Sequence, residues 1–388
     1  MFKGIHLTLL IGSSIPKPAP FEITNAITSV EVQNNDNGRD GFQIAFKMGR
    51  GGNNSLISSS VMQKLLDDYN LSNNQLLQPF NRVILVVTFG FTSKVLFDGV
   101  ITNVQSLASS KPGTSNLVIT GEDLSVMMDL KRTFPTHGNL SDSQIASKII
   151  GVYAEYGLVP IVKQPISTDH QTTDRHAPSQ SGTDLEYLKE LAARNDFIFY
   201  LEPTDIPGVT NAYWVPREFA SHAQKPLTTN MGPETNVSSI SFQYDALKPI
   251  VVTGSTQVPF TNTQIPIRVE TSSRSPLSTN SPKTLNQNKV REKEFQASGL
   301  TYSEAMNLAQ SEVNESMDAL IATGEIDVTR YGDILRARKN VWVRGVGLKN
   351  DGLYYVRSVT HYLKPSGFYK QTFELVREGT GTNSQRIY

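Results

Sequence analysis

The sequence contains no cysteine. That excludes a disulfide framework, a thiolate zinc or iron–sulfur site and a cysteine nucleophile, and it leaves the redox compartment open. It also lacks a surplus of charge, with 36 Lys and Arg against 36 Asp and Glu in 388 residues. Without a positive field, nonspecific nucleic-acid binding loses its usual driving force, so no direct nucleic-acid contact is expected. No apolar run approaches the roughly eighteen residues of a membrane span. The apolar patch at Met1–Ile11 is followed by no small-residue cleavage site, so the reading is a chain made in the cytoplasm without a signal peptide and without direct membrane binding. Charged residues are only 19%, whereas Ser, Thr, Asn and Gln are plentiful. That balance suits polar β-surfaces and long loops better than charged helices.

What is present reads mainly as strand and turn. Phe21–Val32 and Gly41–Met48 flank the turn-prone Asn34–Gly38 and predict a hairpin. Arg82–Phe89, Val95–Ile101 and Asn116–Thr120 follow, punctuated by Gly90, Asp98-Gly99 and Lys111–Gly113, and predict a small barrel or sandwich over residues 1–125. A helix over Val61–Tyr69, with Met62, Leu65, Leu66 and Tyr69 on one face, is expected to cover an open end or edge. Over residues 126–235 the period changes. Capping boxes at Ser141–Gln144 and Thr183–Glu186 open two helices, and the second runs into a strand at Phe197–Leu201 that Ala212–Val215 can pair with, a small α/β unit.

Strands return over residues 236–388, first at Val237–Tyr244 and Pro249–Thr253. Residues 254–298, rich in Ser, Thr, Asn and Pro, predict a long polar loop that is either mobile or ordered by a partner. A third capping box, Thr301–Glu304, opens a helix predicted over 301–323 with Gly324 just past its end. Asn340–Arg344, Gly352–Tyr362 and Phe368–Val376 are predicted strands, the last two joined at Lys364–Gly367. The fold class is therefore α+β and β-rich, compatible with two barrels bracketing a small α/β insertion.

Convergent chemistry is hard to find. Asp169-His170 and Asp174-Arg-His176 have the composition of a zinc or iron site, but His-x5-His matches neither a helical nor a finger spacing, and a polar loop is the better reading. His361 lies in an alternating strand with no serine or aspartate motif beside it. Gly49-Arg-Gly-Gly52 lacks the Lys-Ser/Thr ending of a phosphate loop. The basic run Arg330, Arg336, Arg338, Lys339 and Arg344 reads as a solvated or interface face. The aromatics Tyr354, Tyr355, Tyr362, Phe368, Tyr369 and Phe373 alternate, so about half are expected in the core.

The stretch Ser181–Glu202 together with Gly352–Tyr362 and its hairpin partner resembles the phage late control gene D family, which contains baseplate hubs of contractile tails and injection systems, and is similar to the hub portion of type VI spike proteins. The first motif is the family's Asp-Leu-x-Phe-Leu-x-x-Leu-Ala helix before an aromatic strand, here Asp184, Leu185, Leu188, Leu191, Ala192 and Phe199, with Tyr187 where Phe is frequent. The second is its closing strand, here Gly352, Tyr354, Val356, Val359 and His361. The resemblance implies a non-enzymatic homotrimer in which two tube-type β-barrels per subunit dock a sixfold inner tube and the opposite face seats a threefold spike. It assigns those residues structural duty and brings no catalytic residue, metal or cofactor. Only Gly379–Tyr388 follow the last strand, so a spike on a separate chain is expected, with baseplate wedge proteins as further partners in the assembled particle. The competing readings are a cell-wall hydrolase using Glu186, Glu190 or Asp196 as acid and base, and a glycan-binding tip protein.

Overall fold

A computed structural model describes residues 5–13, 15–36, 38–48, 71–109, 114–165, 179–217, 222–257, 263–297 and 301–382. The helix predicted at Val61–Tyr69, Gly49–Gly52, Lys111–Gly113 and the Asp169–His176 histidine pair lie outside these residues.

The first strands are β1 (Ile5–Gly12), β2 (Lys17–Pro18), β3 (Ile27–Asn35), β4 (Gly41–Met48), β5 (Arg82–Phe89), β6 (Thr92–Leu107) and β7 (Ser115–Asp123). The middle holds β8 (Arg132–Thr133), β9 (Leu158–Val162), β10 (Gly182–Thr183), β11 (Phe197–Pro203) and β12 (Thr210–Pro216), with helices Asp142–Val152 and Asp184–Arg194. Then come β13 (Gln224–Thr228), β14 (Val237–Tyr244), β15 (Ile250–Gln257), β16 (Gln264–Val269), β17 (Arg291–Ala297), the helix Tyr302–Ser316, β18 (Leu320–Asp327), β19 (Asn340–Arg344), β20 (Gly352–Leu363) and β21 (Tyr369–Arg377).

One sheet of 13 strands dominates, in the order β14-β18-β21-β20-β3-β4-β7-β6-β5-β1-β2, with β19 beside the start of β20 and β13 parallel to β19. The β-rich α+β class is as read from the sequence, but no closed barrel forms among the described strands. The reason is β20. Its first residues, Gly352–Tyr355, pair with β19, and its later residues, Ser358–Leu363, pair with β3, so the N-terminal and C-terminal strands fuse into one sheet. Alternation gives that sheet two unlike faces. The buried row Ile326, Gln371, His361, Val32, Phe42 and Gly121 runs across six strands on one face.

Four expectations change. Phe21–Ala26, read as strand, is a short helix entered from Pro20, with Ile23 buried and Thr24 Oγ1 donating to the Phe21 carbonyl at 3.0 Å; β3 starts only at Ile27. Gln224–Thr228, placed by sequence inside the α/β unit, pairs with β19 of the large sheet because Leu227 is needed in the core formed with Val341 and Val343. Residues 254–298 are not a structureless polar loop: β15 pairs with β16 and β17 in a three-stranded sheet. Their sparse apolar residues, Ile267, Val269 and Phe295, converge with Val252 on Ala305, Ala309 and Val313 of the third capped helix. That helix ends at Ser316, not 323. Beyond it Leu320, Ala322 and Ile326 are buried in alternation, as a strand requires. Gly324 sits in the middle of that strand, where a Cβ would fall 2.4 Å from the Ser239 carbonyl oxygen and 2.5 Å from the Phe373 ring.

The middle unit packs its two capped helices against β9, β12 and β11 around the fully buried Trp214, whose Nε1 donates to the Leu188 carbonyl at 3.2 Å. It is tied to the large sheet at a buried bidentate pair within that sheet, Arg82 to Asp98 with both contacts at 2.7 Å, whose Arg82 Nη2 also donates to the Gly208 carbonyl at 3.3 Å. Thr210 Oγ1 donates to the same carboxylate at 3.0 Å.

Candidate functional surface

The geometry gathers acids and bases in one open cleft, Asp36, Asp318 and Glu374 with Arg217, Lys248 and Arg357, and matches most of them to one another in ion pairs. It offers an assembly surface. Across the middle of the large sheet the face opposite the core is polar, and the row Lys370, Tyr362, Glu31, Gln43, Thr120 and Asn103 crosses six strands without a buried residue, whereas Ile84, Val86 and Val95 form a buried apolar cluster on its β5–β6 part. A second row, Ser239, Glu325, Thr372, Thr360 and Gln33, continues it toward β14. Opposite charges on this face are matched, as in Lys370–Glu325 at 2.8 Å and Arg357–Glu374 at 2.8 Å.

The sheet is also an internal repeat. Taken in chain order, β3, β4, β6 and β7 lie side by side as first, second, fourth, third, and β14, β18, β20 and β21 lie in the same arrangement. The irregularities coincide as well. The first strand slips against the second between Ile27 and Ser29 in one copy and between Val237 and Ser239 in the other. The third slips against the fourth between Ile101 and Asn103 in one and between Val356 and Ser358 in the other. Phe80 and Arg338, each at φ 64°, donate from their amides to Ile101 and Val356 respectively, both at 2.8 Å. Bulges and left-handed non-glycine residues are uncommon enough that this coincidence defines two equivalent four-stranded modules.

A buried ionic seam locks the two modules. The β3–β4 turn presents Asp40 to Arg338, whose Nη2 and Nη1 donate to Oδ1 and Oδ2 at 2.7 and 3.1 Å, and the same guanidinium reaches the Asn35 carbonyl. Asp36 of this turn meets Arg217 at 2.8 Å, Arg217 meets Asp318 at 2.8 Å, and Arg357 meets Asp318 at 3.1 Å. Burial raises Asp36 above the usual carboxylate range, more than Arg217 and Arg357 lower it. For Arg338 burial pulls the other way, but Asp40 outweighs it and raises the guanidinium further, so it stays charged. Asp318 thus links the C-terminal strands to Arg217 at the exit of the middle unit, and through it to the N-terminal turn.

The residues singled out from sequence fall mostly in the core. Leu185, Leu188, Leu191, Ala192 and Phe199 line the core of the middle unit, and Tyr354, Val356 and Val359 that of the second module. Asp184 accepts from Gln180 Nε2 at 2.7 Å and from the Tyr153 hydroxyl at 2.9 Å. Gly352, at φ +142°, leaves room for Arg377, whose Nη1 would lie 2.5 Å from a Cβ there. His361 is buried, and its Nδ1 lies 2.8 Å from the Tyr369 hydroxyl and 3.2 Å from Gln371 Nε2. Of the hydrolase candidates, Glu186 closes a capping box at one end of its helix and Asp196 lies past the other, about 15 Å away along the axis and too far for paired carboxylates, while Glu190 follows Glu186 by one exposed turn.

Three members of the basic run are spent on internal contacts, Arg338 on Asp40, Lys339 on Glu202 at 2.8 Å and Arg336 Nη2 on the Val95 carbonyl at 3.1 Å, while Arg330 is exposed. Sequence reasoning missed Arg217, Asp36 and Asp318; the signal was a turn carrying three charges, Asp36, Arg39 and Asp40, more than a turn needs. Among the described residues no cluster of three or more metal-ligating side chains occurs, and no helix is long and apolar enough to cross a membrane.

Residues 61–202, less than half the chain, match the family model described as the Alg8 N-terminal domain. No curated protein matches. Solved structures match over nearly the full length. A tail protein from Neisseria meningitidis MC58 is 11% identical with a TM-score of 0.64, covering 97% of each chain. The 43 kDa tail protein of prophage MuSo2 from Shewanella oneidensis is 14% identical with a TM-score of 0.63, covering 96% of this chain and 98% of its own. An Escherichia coli component of the type VI secretion system, itself similar to the T4 tail proteins gp27 and gp5, is 12% identical with a TM-score of 0.51, covering 92% of this chain and 76% of its own. At such identities the likeness is one of fold: the chain shares the fold of phage tail and type VI secretion proteins.

Proposed function

We propose that the chain is a structural baseplate hub of a phage tail or contractile injection system, a homotrimeric adaptor between a sixfold inner tube and a threefold spike. The observation that carries this reading is the tandem pair of equivalent four-stranded modules. Three copies present six similar modules, so a threefold object gains a near-sixfold edge on which a hexameric tube can seat. The two modules stand where two tube-type barrels were expected. Each would take its place in a wall shared with neighbouring modules, its core face covered and its charge-matched polar face toward solvent. The role is non-enzymatic, and its site of action is the assembled particle.

The partners follow from this role: the inner tube protein on the module ring, a spike carried on a separate chain, and baseplate wedge proteins outside. Light scattering on the purified chain, alone and mixed with candidate tube and spike chains, tests the proposal. A trimer that binds both is the expected outcome. A chain that stays monomeric at every concentration and with both partners would sink it.

A further inference from the structure

The small sheet of β16, β15 and β17 buries one face against its own helix. Val252, Ile267, Val269 and Phe295 point to the helix Tyr302–Ser316, so Val251, Arg268 and Glu292, at alternate positions of the three strands, point the other way. The segment after β16 faces them, but it is fastened elsewhere. Ser272 Oγ and the Ser273 amide donate to the fully buried Asn314 of the helix at 2.8 and 3.0 Å. The Ser278 amide and hydroxyl donate to Glu378 at 2.6 and 2.9 Å, and the Asn280 amide donates to the Thr380 carbonyl at 3.0 Å. Between these anchors Leu277 packs on Tyr355 and Val376 of the large sheet. The strap is thus held by the helix and the large sheet, and between it and the small sheet lies a cavity of about 390 Å³.

Most of its wall is apolar, formed by Pro249, Val251, Pro276, Pro282, Val290 and Met317. Interiors otherwise pack to crystal density, so an apolar space of this size is costly to leave unfilled, and it lies within the range of cavities that hold small molecules. Charge at the mouth is balanced. Arg268 meets Glu270 at 2.7 Å, Lys283 meets the same carboxylate at 3.6 Å, and Glu292 adds its charge beside Arg268. At the buried end stands Arg274, its side chain 12% exposed. Its Nη1 donates to the Asn314 carbonyl at 3.0 Å and lies 3.9 Å from Asp318, which keeps closer contacts with Arg217 at 2.8 Å and Arg357 at 3.1 Å. Burial, reinforced by Arg217, holds the Arg274 guanidinium below its ordinary range, more than Asp318 and Asp196 raise it. The second acid at this end, Glu378, is engaged by Ser278.

We infer that this cavity binds a small amphipathic carboxylate of the medium-chain fatty-acid class, its apolar body against the proline, valine and methionine wall and its carboxylate on Arg274. The inference is independent of the hub reading and gives the small sheet a ligand of its own. The head group follows from charge complementarity. A guanidinium offers paired donors to the two oxygens of a carboxylate, and the added negative charge supplies what Arg217 and Arg357 draw away from Arg274 at Asp318. A neutral alcohol would leave the guanidinium as poorly compensated as before, and an ammonium would set a like charge beside it. Because Asp318 belongs to the ionic seam, a ligand on Arg274 leaves that carboxylate to Arg217 and Arg357, which links occupancy of the cavity to the joint between the modules.

Isothermal titration of the full chain with octanoate, octanol and octylammonium, equal in tail length and kept below micelle formation, separates the head group from the tail. Octanoate is expected to bind once per chain and about tenfold or more tighter than octanol, with octylammonium the weakest of the three. Arg274→Gln should bring octanoate down to the level of octanol and leave octanol unchanged. Val251→Trp, which fills the cavity from the sheet side, should remove binding of both. The inference is overturned if octanoate does not bind the wild-type chain, if it binds no tighter than octylammonium, or if it keeps its advantage over octanol in Arg274→Gln. Should Val251→Trp fail to fold, those three comparisons still decide. None of these outcomes changes the mass of the chain with its tube and spike partners, so the hub reading stands or falls by its own experiment.

Discussion

At the scale of single residues, His361 shows how burial decides what a polar side chain can do. Its ring is 1% exposed, and Tyr369 and Gln371 converge on Nδ1, which must therefore accept. Gln371 is itself committed, Oε1 accepting from the Leu335 amide at 3.0 Å and Nε2 donating to the Leu335 carbonyl at 2.7 Å. Burial, helped by Arg336, pushes the imidazole down to about 3 from an ordinary 6.5. Between those values the unfolded chain holds a proton that the folded chain refuses. The stabilising contribution is thus complete above pH 6.5 and is lost as pH falls toward 3, by about 1.4 kcal/mol per pH unit. Urea unfolding of wild type and His361→Gln between pH 7 and pH 4 should give a flatter pH dependence for the variant. Equal slopes would show that the imidazole does not titrate in this way.

At the scale of elements, the helix Asp184–Arg194 depends on its first turn. Thr183 Oγ1 accepts from the Glu186 amide at 3.2 Å and donates to Asp129 at 2.6 Å, while Glu186 returns to the Thr183 amide at 3.0 Å. Asp129 also pairs with Arg39, so the cap reaches beyond its own helix. The hydrogen bond from Thr183 and the ion pair with Arg39 hold the Asp129 carboxyl below its usual range, outweighing the effect of burial. Thr183→Ala is expected to cost about 1 to 2 kcal/mol in denaturant unfolding, the upper part of the range for a cap. A change of a few tenths would mean that the contact with Asp129 contributes nothing. This element was readable in advance because a capping box is a local pattern, complete within four residues.

At the scale of the molecule, the seam ties together parts that each have their own core. Arg338 and Asp40 have side chains only 7% and 4% exposed, so breaking the pair on one side strands a buried charge. Asp40→Asn is expected to lower global stability by about 3 to 5 kcal/mol. The double change Asp40→Leu, Arg338→Met should recover much of the loss, since an apolar pair of similar volume removes both charges. Calorimetry of the three proteins measures this directly, and a single variant within about 0.5 kcal/mol of wild type would exclude the seam as a stabilising joint.

The sequence by itself determined the β-rich class, the three capped helices and the packing of the middle α/β unit around Leu185 to Phe199. Each is written in short-range features, in alternation, capping boxes and composition, that act within a turn or a strand. It did not reveal that β20 serves two modules, that β15, β16 and β17 form a sheet, or that the basic run from Arg336 to Lys339 is spent on internal contacts. Nor did it disclose the repeat, although residues 27–34 and 237–244 align residue for residue once their bulges are matched. Only their patterning is shared, and an insertion that holds the three strands β15 to β17 and the helix Tyr302–Ser316 separates β14 from β18 where a short turn joins β3 to β4. Those features depend on which distant strands pair and on which charges burial forces together, and only the tertiary structure brings such partners within bonding distance.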